Sequence, residues 1–303
     1  MITREETIRQ ILALKKEKGA VLLVHNYQIP EIQDLADFLG DSLDLSRKAA
    51  STPEETIVFC GVRFMAETAK ILSPSKKVLL PRIDAGCPMA ETIDADGLRK
   101  LKSLHPKAVV VTYVNSTAEV KAESDVCCTS ANAVRVVQNV RADEILFTPD
   151  RNLAAYVQRF THKKIIPWQG FCYVHEQFKK QDILRARQSH PDALLLVHPE
   201  CSPDVVDLAD NVLSTSGMIR FAKESSASSF LIATEEGLIH RLKKENPRKT
   251  FHSAGPSRTC RNMKMTRLED LWLSLSRDQF RIDVPEPVAS RARKALESML
   301  VYA

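Results

Sequence analysis

No apolar run in this chain approaches the roughly 18 residues a helix needs to cross a bilayer, so no helical membrane span is expected. The opening MITREETIRQ is charged and has no apolar core, so no secretory signal is expected either. A basic stripe is also missing. The 43 Lys and Arg are interleaved with 38 Asp and Glu, for a net charge of +5. That argues against a nucleic-acid partner and reads as a solvated surface, mildly suited to anionic small substrates. The cysteines lack close company. Cys87, in RIDAGCPMAE, has no second cysteine within four residues, so the close ligand pair usual in zinc sites is absent. We therefore expect a cytoplasmic protein. Its seven cysteines (60, 87, 127, 128, 172, 201 and 260) are expected to be thiols or metal ligands rather than disulfides, and the odd count fits that.

What the chain does have is repetition. VLLVHNY (21–27), VVVTYVN (109–115) and LLLVHPE (194–200) read as buried strands running into polar loops, and they start 88 and then 85 residues apart. DSLDLSRK (41–48), TSANAVRV (129–136) and STSGMIRF (214–221) keep those offsets, each opening like a helix cap. IVFCGVRFMAETAKIL (57–72), ILFTPDRNLAAYVQRF (145–160) and FLIATEEGLIHRLKKE (230–245) keep them again, as a strand turning into a helix. A basic pair then precedes a short strand and a loop ending in Cys87, Cys172 or Cys260.

The unit is thus strand–helix–strand–helix–strand, about 87 residues long and used three times. Strands alternating with helices imply an α/β protein of three homologous three-layer αβα domains, each with a small parallel sheet. We divide the chain as 1–88, 89–175 and 176–262, with a helical tail at 263–303. Right-handed crossovers bring the strands' C-terminal ends to one side, where ligands of such sheets collect. All the polar landmarks fall at that side. If the three domains meet about a pseudo-threefold axis, the three cysteines converge. Three thiolates with no fourth protein ligand suit an iron–sulfur cluster with one open iron, a Lewis acid for a substrate. The alternative is that they are ordinary small buried residues. Cys60 ends an apolar strand, Cys201 follows the HPE loop, and the adjacent Cys127 and Cys128 have no counterpart in the other repeats; all four read as packing, with a redox role for the vicinal pair as the alternative.

HNYQIPEIQDLADFLGDSL, VNSTAEVKAESDVCCTSANAV, GFCYVHEQF, HPEC, STSGMI and CRNMK together resemble the quinolinate synthase family, nearly end to end. The resemblance implies three similar α/β domains around a [4Fe–4S] cluster held by Cys87, Cys172 and Cys260. It also implies condensation of iminoaspartate with dihydroxyacetone phosphate to quinolinate, in NAD biosynthesis, with a link to an aspartate oxidase or dehydrogenase. Tyr173 stands where many members have proline.

The resemblance gives Tyr27 the role of proton shuttle, and Glu200 is the carboxylate best placed for general acid–base work. The plainer readings are a packed loop tyrosine and a helix N-terminal charge. His25 and His198 are repeat equivalents able to donate to carboxylate or phosphate, and His175, three residues after Cys172, is expected to face the same cavity. Ser42, Ser130 and Thr215 align near helix starts, where N–H groups and a hydroxyl bind anions or simply cap. Tyr113 and Asn115 are expected to orient substrate. Met65 reads as core, and Glu67 is not given a role. The ends lie outside the repeats: TREE opens a first helix, and TRLEDLWLSLS and VASRARKALESML read as closing helices around the extended FRIDVPEP. They are expected to pack together on the first or last unit. A non-catalytic iron–sulfur sensor or solute-binding protein, and a zinc enzyme on the same cysteines, are the competing readings.

Overall fold

The structure, a computed structural model, describes residues 3–302. Its strands are β1 (Ala20–His25), β2 (Phe38–Gly40), β3 (Thr56–Cys60), β4 (Lys77–Leu79), β5 (Val109–Tyr113), β6 (Val126–Cys128), β7 (Glu144–Thr148), β8 (Lys164–Pro167), β9 (Leu194–Val197), β10 (Asn211–Val212), β11 (Ser229–Ala233) and β12 (Thr250–Ser253). They form three four-stranded sheets of one topology: β2-β1-β3-β4, β6-β5-β7-β8 and β10-β9-β11-β12. Every pairing within them is parallel. β1 and β3 are buried along their whole length, because helices cover both faces of the sheet.

The helices are α1 (Arg4–Glu17), α2 (Pro30–Gln33), α3 (Ser42–Ser51), α4 (Arg63–Leu72), α5 (Ala95–Leu104), α6 (Ala118–Ala122), α7 (Ala133–Asn139), α8 (Arg151–Gln158), α9 (Lys180–Ser189), α10 (Pro203–Val206), α11 (Thr215–Glu224), α12 (Gly237–Glu245), α13 (Leu268–Arg277) and α14 (Glu286–Val301). Each sheet therefore has four strands, not the three expected. The extra one is the short edge strand β2, β6 or β10, reached through a helix of four or five residues. Two or three residues are too few for a periodic signal.

An aspartate anchors each edge strand. Asp37 accepts from the Leu22 N–H (2.8 Å), Asp125 from Val110 (2.8 Å) and Asp210 from Leu195 (2.7 Å). In return each aspartate's own N–H donates to the carbonyl of the same residue. The basic pair before each last strand also has a structural use. Lys76, Lys163 and Lys249 reach back to carbonyls at the C-terminal ends of α3, α7 and α11, among them those of Thr52, Val140 and Ser225. A cation there satisfies orphan acceptors and opposes the negative end of the helix dipole.

The termini do not pack as one group. Ile11 of α1 and Leu268, Leu271 and Leu275 of α13 share a core with Leu22 and Val24 of β1. α14 instead lies across the first and second units, against α4, α6 and β6. Its Ala289, Ala292, Ala295, Leu296 and Met299 enter the core that those units share. Small side chains on that face allow the close approach.

Candidate active site

One cavity is lined from all three repeats by Tyr27, Glu200, His25, Ser42, Tyr113, Asn115, Ser130, His175, His198, Thr215, Cys87, Cys172 and Cys260. Every candidate residue from the sequence thus faces a single space. It lies beyond the C-terminal ends of β1, β5 and β9, where the chain leaves a parallel sheet and strand order reverses.

The cysteines sit in three copies of one turn. Each opens a helical turn by accepting from the residue four ahead: Glu91 N–H to the Cys87 carbonyl (3.1 Å), Glu176 to Cys172 (3.0 Å) and Lys264 to Cys260 (3.1 Å). Backbone N–H groups two or three residues on are directed at the sulfurs, from Met89 and Ala90, from His175, and from Asn262 and Met263. The carbonyl two residues before each cysteine is bound in turn. Arg63 N–H donates to Ala85 (2.8 Å), Arg151 to Gly170 (2.8 Å) and Glu236 to Arg258 (3.0 Å). Each cysteine loop is thereby tied to the start of the helix after the central strand.

Burial pushes the Cys87 thiol up to about 12 and raises Cys172 as well, with neighbouring thiols and Glu200 adding to both shifts; burial, with Glu235, also raises Cys260. No disulfide pairs them. Three cysteines that line one cavity, receive N–H donors and are costly to ionise alone form a donor set suited to a metal centre. A ligand atom each from Cys172, His175 and Glu200 also lie within 4.8 Å of one another and could hold an ion.

The polar wall opposite is built by a second repeated device. The Tyr27 N–H donates to His25 Nδ1 (3.2 Å), and the Glu200 N–H to His198 Nδ1 (3.4 Å). Nδ1 is therefore an acceptor in both rings, and Nε2 carries the hydrogen. Desolvation lowers both imidazoles to about 3. They are neutral donors at physiological pH.

Glu200 accepts from the Tyr113 hydroxyl through Oε1, and its Oε2 lies 2.9 Å from His175 Nδ1, close but off the line of that N–H. Burial alone would raise the carboxyl, but the adjacent His175 and His198 rings and the hydrogen bond from Tyr113 outweigh it and hold it at about 2. Desolvation and the Glu200 charge push Tyr27 and Tyr113 well above the usual phenol range, so both keep their protons. The His175 ring stacks on His198 at 4.5 Å. Asn115 Oδ1 is buried without a protein partner, an acceptor free for a ligand.

Ser42 and Thr215 are the first residues of α3 and α11, capped by Asp41 and Ser214. Ser130 differs: α7 begins only at Ala133, because Asn132 folds back to accept from the Thr129 N–H (2.7 Å) and turns the chain first. Ser130 therefore lies in a turn, not at the helix start expected of it. The starts of α3 and α11 lean on each other, through Ser214 Oγ donating to Asp41 Oδ2 (3.2 Å) and Ser216 Oγ donating to Asp44.

Comparison with known proteins places the chain in a family. The family described as "Quinolinate synthetase A protein" matches residues 9–301. The "Quinolinate synthase" of Thermodesulfovibrio yellowstonii is 54% identical over 295 residues, 97% of each chain. That of Methanoregula boonei is 55% identical over 291 residues, 96% of each chain. The chain belongs to the quinolinate synthase family.

Sequence reasoning reached the cavity wall but missed its backing. Thr234 bonds both Tyr27 Oη (2.6 Å) and His175 Nε2 (2.8 Å). Glu235, buried against Lys264 (2.9 Å), accepts from the Cys260 N–H (3.0 Å). Arg241 grips Asn26 Oδ1 (2.9 Å), and Asn26 donates to Thr215 Oγ1 (2.9 Å). One signal was available: Val62, Asp150 and Glu235 occupy equivalent repeat positions just before each helix, and a buried acid in two of three copies marks a conserved geometric need of the loop. Thr234 and Asn26 carry no such mark.

Proposed function

We propose that this member of the quinolinate synthase family condenses iminoaspartate with dihydroxyacetone phosphate, releasing quinolinate, phosphate and water. The observation that carries this reading is the shared cavity: three N–H-bonded cysteines face a buried tyrosine–carboxylate–imidazole wall. A [4Fe–4S] cluster on Cys87, Cys172 and Cys260 would supply an iron with a free coordination position, and so Lewis acidity toward a substrate oxygen.

The chain's own groups do the rest. The Nε2–H groups of His25 and His198, with the hydroxyls of Ser42, Ser130 and Thr215, bind the carboxylates and the phosphate. Asn115 accepts from the imine or a hydroxyl. Tyr27 exchanges a proton with the triose as it isomerises, and Glu200 takes and returns protons during the dehydrations that close the ring. The closed, three-sided site keeps water from the reactive imine.

Several companion readings belong to the same proposal. The units 1–88, 89–175 and 176–262, arranged about a pseudo-threefold axis, and the tail 263–303 are supported by the matching sheets and cysteine turns. The aspartate-derived imine would come from an aspartate oxidase or dehydrogenase. A cytoplasmic setting is supported by seven unpaired cysteines. Among the described residues no helix is long and apolar enough to cross a membrane.

The test is anaerobic incubation of the purified protein with both substrates. Quinolinate formation by a brown protein supports the reading. A colourless, zinc-loaded protein, or a brown one that makes no quinolinate, overturns it in favour of the zinc enzyme or the sensor.

A further inference from the structure

The cysteine loops have two sides. Inward they face the cavity described above. Outward, the residue after each cysteine – Pro88, Tyr173 and Arg261 – lines a second, more open cleft, with Gln177 and Ser257 beside them. Pro88 and Tyr173 line both spaces, so the cysteine loops form the wall between them.

Tyr173 ties two of these loops together. It follows Cys172 in the chain, yet its hydroxyl oxygen accepts the N–H of Arg261, the residue after Cys260, at 2.9 Å. Its own turn is held by Gln177, whose side-chain amide donates to the Tyr173 carbonyl (2.9 Å). Donor counting places the remaining hydrogen. A phenol ionises at about 10, so Tyr173 carries its hydrogen at neutral pH. The oxygen already accepts from Arg261, and the acceptor beside it is the Cys260 sulfur. That sulfur also receives the N–H groups of Asn262 and Met263. Cys260 is thus served from two loops, by backbone donors of its own and by a side chain of the second repeat.

We propose that Tyr173 is a positioning residue that donates its hydroxyl hydrogen to the Cys260 sulfur and so tunes the iron–sulfur centre from outside the substrate cavity. A donor on a ligand sulfur draws charge off the centre. It therefore favours the reduced, more negative state and strengthens the open iron as a Lewis acid. Tyr173 has this effect without touching the substrate.

This inference rests on the proposed [4Fe–4S] cluster, and the experiment separates the two. Midpoint potentials for one-electron reduction are measured by mediated titration followed by electron paramagnetic resonance, together with iron and sulfide content. Anaerobically purified wild type, Tyr173→Phe and Gln177→Ala are compared. Tyr173→Phe keeps the ring and loses the donor. It should hold full iron and sulfide and be reduced roughly tenfold less favourably, about 59 mV lower for one electron, the value of about one hydrogen bond. Gln177→Ala loosens the same turn without touching the hydroxyl and should keep the wild-type potential. An unchanged potential in Tyr173→Phe, an equal shift in Gln177→Ala, or loss of iron from Tyr173→Phe would each overturn the proposal, the last by reducing Tyr173 to a strap between loops. Any of these in a brown wild-type protein that makes quinolinate would leave the reaction standing. Wild type without iron and sulfide would overturn the cluster reading and the proposal with it.

Discussion

His25 and His198 show how a single side chain ties chemistry to stability. Both are buried, both give up Nδ1 to a local N–H, and desolvation lowers both to about 3. Their unfolded value is about 6.5, so the native state holds them neutral while the unfolded chain takes up protons. Their contribution is complete above pH about 6.5 and is lost as pH falls toward 3, by up to roughly 3 kcal/mol per pH unit for the pair. Glu200, depressed to about 2, adds its own loss below about 4.5. Denaturant titrations between pH 5 and 7 should show wild-type stability falling with acidity and the double variant His25→Asn/His198→Asn giving a flatter profile. Equal slopes would reject the assignment. Tyr27 makes a separate prediction at the same scale. Its ring packs on His25 at 4.7 Å, so Tyr27→Phe should keep the fold and the iron while losing turnover at least a hundredfold, as loss of an acid–base group does. Near-normal turnover would remove Tyr27 from proton transfer.

At the scale of elements, the three units share devices that copy themselves residue for residue. The aspartate that anchors each edge strand lies fifteen residues after its partner, in Leu22/Asp37, Val110/Asp125 and Leu195/Asp210. Asp125→Ala should leave the Val110 N–H unpaired and cost about 1–3 kcal/mol. That corresponds to a fall in Tm of several degrees, measurable by calorimetry, and Asp125→Asn should recover part of it. An unchanged Tm would show the bond to be incidental. These devices also mark what could be read without coordinates. The long strands and the cysteine loops were legible because apolar runs and rare residues recur at fixed offsets. The edge strands Phe38–Gly40, Val126–Cys128 and Asn211–Val212 were not, since pairing by two or three residues leaves no periodicity. The late start of α7 was hidden for another reason: Asn132 competes locally with the cap that the aligned Thr129 suggested.

At the scale of the molecule, function depends on contacts between units that no local pattern records. Arg241 of α12 fixes Asn26 of the first unit, and Asn26 orients Thr215 of the third. Nothing in the neighbourhood of any of these residues announces the other two. The termini tell the same story, with α14 filling the groove between the first and second units while α1 and α13 cover the first. Arg241→Met should keep most of its aliphatic packing but free the Asn26 amide. It should raise KM for the phosphate-bearing substrate several-fold and leave the iron content unchanged. A fall in iron content would point instead to general loosening of the unit contacts.

The whole account turns on distant cysteine loops sharing one metal centre. Iron and acid-labile sulfide per chain, measured in anaerobically purified protein and in Cys87→Ser, Cys172→Ser and Cys260→Ser, test it most directly. We predict about four of each per wild-type chain and loss of the cluster in all three variants. Full iron and sulfide in any one of them, or wild-type protein carrying zinc and no sulfide, would contradict it.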